Sequence, residues 1–206
     1  MKFEKLILPF APDVYWTRGY SHAISKLSDK ISCSDSQAEL LYNLALQLPF
    51  RSVIVALGIW TGKSTIAMGE AAKEKSHRIY AVDHFMGSPS DETKDLSQQR
   101  DIASEFQANV DKFGLGHWIS TIHFPFNELL SCWTIPIDLI FIDGDHEYAS
   151  VNNDINGWAG WVKVGGIIAG HDYDIPGVEQ AVKESFSEFT VEDNIWIAKR
   201  VYDQKV

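Results

Sequence analysis

The sequence predicts an α/β protein, a doubly wound Rossmann-like sheet that is mostly parallel with an antiparallel terminal strand. Three observations carry this. Short apolar runs such as VIVAL, IYAV, IDLIFI and GIIAG are bounded by glycine or acid, as strands buried on both faces are. Stretches with helical apolar spacing separate them, which implies right-handed βαβ units and a parallel sheet. The last two runs, FTVED and NIWIAKRVY, have only a tight turn between them and must pair antiparallel.

The bulk of the sequence fits one such domain. At 206 residues, 45% hydrophobic and 22% charged, it has room for one full core, so residues 1–206 are expected to form a single domain. No apolar run reaches the length of a membrane span. The apolar patch near the N-terminus is interrupted by Pro9 and Pro12, with no small-residue cleavage site after it. Cys33 and Cys132 are far apart and fit a reducing compartment, so a cytoplasmic protein is expected. With 18 basic and 28 acidic residues, 18 − 28 gives a net charge of −10. Such a surface repels phosphate backbones. Nucleic acid and membrane are therefore not the expected partners, and a small molecule is. Homo-oligomerisation stays open.

Taken in order, residues 1–33 are an N-terminal arm or lid, with Phe10, Tyr15, Trp16 and Tyr20 among polar residues and prolines. Ser36 and Glu39 are spaced as a capping box for a helix with Leu40, Leu41, Leu44 and Leu48 on one face, stopped by Pro49. Val53 to Leu57 read as a strand, Gly58 to Gly62 as a turn, and Ser64 to Lys73 as a helix. His77 to Asp83 form a second strand, followed by a polar loop from His84 to Asp95. Ile102, Phe106, Val110 and Phe113 stripe a helix that Gly114 ends. HWISTIH is the third strand, PFNELLSCW a short helix, and IDLIFID the fourth strand. Val151, Ile155, Trp158 and Val162 stripe the next helix. Gly165 and Gly166 lead into IIAG, the fifth strand, and Val178, Val182 and Phe186 mark the last helix.

Two familiar phosphate motifs are excluded. GIWTGKST has only three residues between its first glycine and Gly-Lys, one short of the triphosphate loop, and the dinucleotide fingerprint lacks its middle glycine. What remains is a strand–glycine–turn–helix corner whose backbone N–H groups can hold a ligand's polar end. Asp83, at the end of the neighbouring strand, can accept both hydroxyls of a ribose. IDGDH and GHDYD end the fourth and fifth strands, where ligands gather in such sheets. Asp143, His171 and Asp172 offer oxygen and imidazole to a divalent metal, with His146 close enough to act as a base. Asp145 and Glu147 read instead as acids at the start of the following helix, favoured there by its dipole.

These segments, GIWTGKSTIA, IYAVDHFMGSPSDE, IDLIFIDGDHEYASVNNDINGW and VKVGGIIAGHDYDIPGVEQAV, resemble class I S-adenosylmethionine-dependent methyltransferases. More closely, the chain resembles the bacterial small-molecule O-methyltransferases that include macrolide-sugar enzymes and cephalosporin-hydroxylase-like proteins. The resemblance implies S-adenosyl-L-methionine as cofactor, held by the turn Gly58, Trp60, Thr61, Gly62 and Ser64. It implies Asp83 at the ribose, His84 also at the cofactor, His123 to Phe126 beside the adenine, and Asp143 bordering the cofactor. It further implies Mg²⁺ or another divalent cation on Asp143, His171 and Asp172, with His146 as general base and Asp143 beside it in catalysis. Two positions depart from the family pattern. Ala56 stands where an acid two residues before the first glycine is frequent, and His171 stands where the metal pair is frequently acid-acid.

The expected activity is thus methyl transfer to a small hydroxylated acceptor. Ala56 keeps open a member that binds the cofactor without catalysis. A nicotinamide oxidoreductase is disfavoured by the missing glycine.

Overall fold

The computed structural model describes residues 1–6, 27 and 32–201. The arm residues Phe10, Tyr15, Trp16 and Tyr20, and with them the reading of a lid, lie outside the described residues.

Strands and helical segments alternate from Val53 to Ser185. They are β1 (Lys2–Lys5), α1 (Asp35–Gln47), β2 (Val53–Leu57), α2 (Lys63–Lys75) and β3 (Arg78–Asp83), then α3 (Thr93–Ser97), α4 (Ile102–Lys112), β4 (Ile119–His123) and α5 (Phe126–Leu130). There follow β5 (Ile137–Ile142), α6 (Tyr148–Trp158), β6 (Val162–Gly170), α7 (Pro176–Ser185), β7 (Thr190–Glu192) and β8 (Ile195–Val201). All eight strands form one sheet in the order β1-β8-β6-β5-β2-β3-β4, with β7 also on β8. The pairs among β4, β3, β2, β5 and β6 are parallel, and β8 is antiparallel to β6, β7 and β1.

Alternating side chains of the central strands build two cores. Ile54 and Ala56 of β2 face one core with Leu41, Leu44, Ile66 and Phe106, whereas Val55 and Leu57 face the other with Val151, Trp158 and Val182. Both faces of the sheet are covered, as buried parallel strands require. The carboxyl ends of β2, β3, β5 and β6 consequently open on one side, and the site lies there.

The structure corrects four readings of the sequence. The capping box is Ser34 with Gln37, not Ser36 with Glu39: Ser34 Oγ accepts from Gln37 N at 3.1 Å, and Gln37 Oε1 accepts from Ser34 N at 2.7 Å. The helix begins two residues earlier than the apolar stripe suggests, so Ser36 falls inside the first turn and donates to Asp193. Val162 does not continue the helix of Trp158; a 3-10 turn over Ala159–Trp161 carries the chain into β6, and Val162 still lands in the same core. Lys2–Lys5 is a strand of the sheet, although only Phe3 among its residues is buried, against Phe186 with ring centroids 4.8 Å apart. Charged ends on an edge strand hide it from a reading of apolar runs. Finally, the loop after β3 contains the short helix α3.

Candidate active site

Gly58 opens the turn after β2 with φ +78, and a Cβ there would sit 1.9 Å from the Asp143 carbonyl oxygen. Only glycine permits that approach. The turn from β2 and the acidic end of β5 are thereby one continuous surface, tied by Asp143 N donating to Leu57 O at 2.8 Å. Trp60 adopts φ +52 and Gly62 φ +96, the latter against the Phe106 ring. Gly62 caps α2 without a side-chain hydrogen bond. The first N–H groups of that helix therefore remain directed into the turn. Thr61 and Ser64 are buried beside it, and Thr61 O accepts from Asn109 Nδ2 at 2.8 Å.

Asp83 lies where the sequence puts it, at the end of β3 beside β2. Its carboxylate is already engaged. Oδ2 accepts from Ile59 N at 2.7 Å and Trp60 N at 3.3 Å, and Oδ1 accepts from Phe85 N at 2.7 Å. Asp83 thus holds the turn closed. Capacity for a ribose hydroxyl remains mainly on Oδ1, since each carboxylate oxygen has two lone pairs. His84 and His123 are drawn together at this edge, with His123 Nε2 donating to His84 O at 3.0 Å. The His84 ring lies 6.4 Å from that of Phe126, at 12°.

The ends of β5 and β6 are adjacent in parallel, so IDGDH and GHDYD meet. Acids and imidazoles alternate along a chain there. Asp91 Oδ2 is 3.4 Å from His146 Nδ1, and His146 Nε2 is 3.0 Å from Asp172 Oδ2. His171 Nδ1 is 3.0 Å from Asp172 Oδ1 and 3.6 Å from Asp143 Oδ1. Burial pushes the Asp143 carboxyl up, partly offset by His171. Burial would raise Asp172 too, but hydrogen bonds from His146 and His171 hold it well below the usual carboxylate range. Burial opposes charge on His171, yet Asp143, Asp172 and Asp174 bring it up to about 9. His146 is raised, chiefly by Asp172. Asp172 itself has φ +56, an uncommon backbone for a non-glycine residue and one that concentrates at functional sites.

One ligand atom from each of Asp143, His171 and Asp172 lies within 4.8 Å of the others. His171 Nε2 is buried without a partner among the described residues. Two carboxylates and an imidazole with an unused nitrogen fit a divalent cation.

Asp145 does something the sequence did not suggest. It does not cap α6 by its backbone; Oδ1 accepts from Ser88 Oγ at 2.8 Å and Ser90 Oγ at 2.5 Å, and Oδ2 from Ser150 Oγ at 2.7 Å. These bonds, led by that from Ser90, overcome burial and bring its carboxyl down to about 2. Glu147 is the N-cap residue of α6 by position, but its side chain makes no cap bond. Ser88, Ser90 and Asp91 belong to a polar loop without periodicity, and only the number of hydroxyls and acids in it hinted at such a role.

Comparison with known proteins follows this geometry. The model of a family described as a methyltransferase domain matches residues 55–173, which contain the turn and the whole acid–imidazole chain. The chain is also similar in fold to the O-methyltransferase NovP, at 18% identity and TM-score 0.64, over 82% of this chain and 81% of that one. It is similar to the O-methyltransferase TomG from Streptomyces achromogenes in complex with SAM, at 15% identity and TM-score 0.63, over 89% and 88%. A third, the SAH-bound methyltransferase PaMTH1 from Podospora anserina, matches at 17% identity and TM-score 0.61, over 90% and 87%.

Proposed function

The chain belongs to the methyltransferase-domain family, with the class I S-adenosylmethionine-dependent fold, and on that premise we propose that it O-methylates a small hydroxylated acceptor with divalent-cation assistance. One observation supports this reading above others. The glycine turn suited to the cofactor abuts Asp143, and Asp143 ends the chain of acids and imidazoles that contains the candidate base.

When bound, the cofactor supplies an electrophilic methyl on a sulfonium, and a cation on Asp143, His171 and Asp172 would lower the pKa of an acceptor hydroxyl. The protein's share is binding and proton transfer. Gly58, Trp60, Thr61, Gly62 and Ser64 would hold the methionine side through backbone groups, with Asp83 keeping that turn in shape and offering Oδ1 to the ribose. His84 and His123, with Phe126, would border the nucleoside. Asp172 orients the His146 ring through Nε2, which leaves Nδ1 to receive the acceptor's proton. Asp91 Oδ2 lies 3.4 Å from Nδ1 and would have to yield that position to an acceptor hydroxyl. Holding the acceptor oxygen in line with the methyl would supply much of the remaining rate.

The test is transfer of labelled methyl from S-adenosylmethionine to a panel of phenols, catechols and sugars, with and without chelator. Turnover that falls on chelation and in Asp143→Ala supports the reading. Turnover indifferent to both removes the cation and leaves the methyl transfer. A second reading, cofactor binding without catalysis, rests on Ala56, which is fully buried in the core and places no acid at that position. Tight cofactor binding with no turnover across the panel would favour it.

A further inference from the structure

Trp196 lies against the end of the sheet that carries the acids and imidazoles. β8 runs antiparallel to β6, so its first residues stand beside the last of β6, with Trp196 opposite Gly170. The indole takes the space that a side chain at 170 would need. Its Cε2 lies 2.5 Å from where a Cβ would stand, with Cζ2 closer still, and Ile142 O is 2.6 Å from the same point. Cε2 bears Nε1, so the indole N–H is presented at the end of β6, beside the residue that precedes His171.

That N–H has no hydrogen-bond partner among the described residues, although Trp196 is only 1% exposed. Buried donors are rarely left so, because losing water without gaining an acceptor is destabilising. His171 Nε2 is in the same condition. Both residues line one small cavity, with Ile142 and Val178 on its apolar side and His146 and Asp172 on its polar side. A buried water makes about three hydrogen bonds to such groups. Trp196 Nε1 and His171 Nε2 can donate to it, and Ile142 O, which accepts only His171 N at 3.1 Å, has a lone pair left for it. The position of His171 gives this contact a purpose. Its Nδ1 faces Asp172 Oδ1 at 3.0 Å and Asp143 Oδ1 at 3.6 Å, so a cation shared with those carboxylates would take Nδ1. The orientation of a metal-bound imidazole is then fixed by the hydrogen bond that its other nitrogen makes.

We propose that Trp196 is a positioning residue for the cation centre: its indole N–H and His171 Nε2–H donate to one buried water, which holds the ring with Nδ1 toward Asp143 and Asp172. This rests on the cation part of the proposed function. It joins three features of the chain, the imidazole at 171, the glycine at 170 that admits the indole, and the indole itself. An acid at 171 would have no second nitrogen to hold, and no use for the N–H of Trp196.

The test is Mn²⁺ binding to the full chain, followed by loss of the free-ion electron paramagnetic resonance signal, in wild type, Trp196→Phe, His171→Asp and the double variant. Trp196→Phe keeps an aromatic ring and removes the N–H. It weakens Mn²⁺ binding by about ten- to a hundredfold in the wild-type background, the range for groups that orient a metal's ligands. In the His171→Asp background, which keeps three ligands and controls for the lost ring volume, the same change costs less than about twofold. Benzothienylalanine at position 196, with sulfur in place of the N–H, gives the same selective loss if Trp196→Phe does not fold. Equal losses in both backgrounds, or no loss in the wild-type background, overturn the proposal and leave the cation reading intact. A wild type that binds no Mn²⁺ overturns both.

Discussion

Single residues set the chemistry of this site, and their partners define what each substitution should do. His146 is held by Asp172 at 3.0 Å, and as the proposed general base its loss should be large. His146→Gln is expected to lower kcat for methyl transfer by about 10²- to 10⁴-fold, with S-adenosylhomocysteine affinity by calorimetry unchanged. Asp83 accepts from three backbone N–H groups. Asp83→Asn loses an acceptor oxygen among buried donors, and should cost about 1–3 kcal/mol in urea denaturation. His77 offers a pH test away from the site. It is buried, its Nδ1 accepts from Ser52 N at 3.0 Å, and Nε2 bonds to Ala45 O at 3.0 Å. Burial lowers its pKa from the ordinary 6.5. The neutral ring is the folded form, so its contribution is complete above the unfolded value and is lost as pH falls through the lower folded value. Urea midpoints should fall as pH drops below about 6.5, and His77→Leu should flatten that slope.

Elements bring these residues together, and at this scale the sequence was most and least legible. The turn after β2 was readable because Gly58 and Gly62 need positive φ and no side chain. Gly58→Ala, with a Cβ that would sit 1.9 Å from the Asp143 carbonyl, should cost more than ~1 kcal/mol in stability and abolish S-adenosylhomocysteine binding. The meeting of Asp143, His171 and Asp172 was readable because parallel strands placed by βαβ handedness put both motifs at one mouth. The role of Asp145 was not. Its serine partners lie 57 and 55 residues earlier, in a loop whose path no local pattern fixes. Asp145→Ala should therefore release that loop, seen as faster hydrogen exchange at the amides of Ser88 and Ser90 with the central strands unchanged. Helix ends were misread at Ser34, whose capping box uses Gln37 and overlaps the rival Ser36–Glu39 spacing, and where a 3-10 turn passed Val162 from helix to strand.

For the whole molecule, the mostly parallel sheet was implied by the alternation of strands and helices, and the antiparallel β7–β8 pair by the tight turn. The addition of β1 to the edge of β8 was not, because a strand reading KFEK carries one buried side chain and no apolar run. No helix among the described residues is long and apolar enough to cross a membrane. The net charge of −10 gives the molecule a field that favours neither phosphate backbones nor anionic surfaces. A positively charged cofactor and a cation are compatible with that field, and the carboxyl ends of β2, β3, β5 and β6 collect the groups suited to both. Titration of S-adenosylhomocysteine into the full chain tests this central claim most directly. Saturable binding in the micromolar range, lost in Gly58→Ala, is the predicted result, and no heat of binding up to about 1 mM would contradict it.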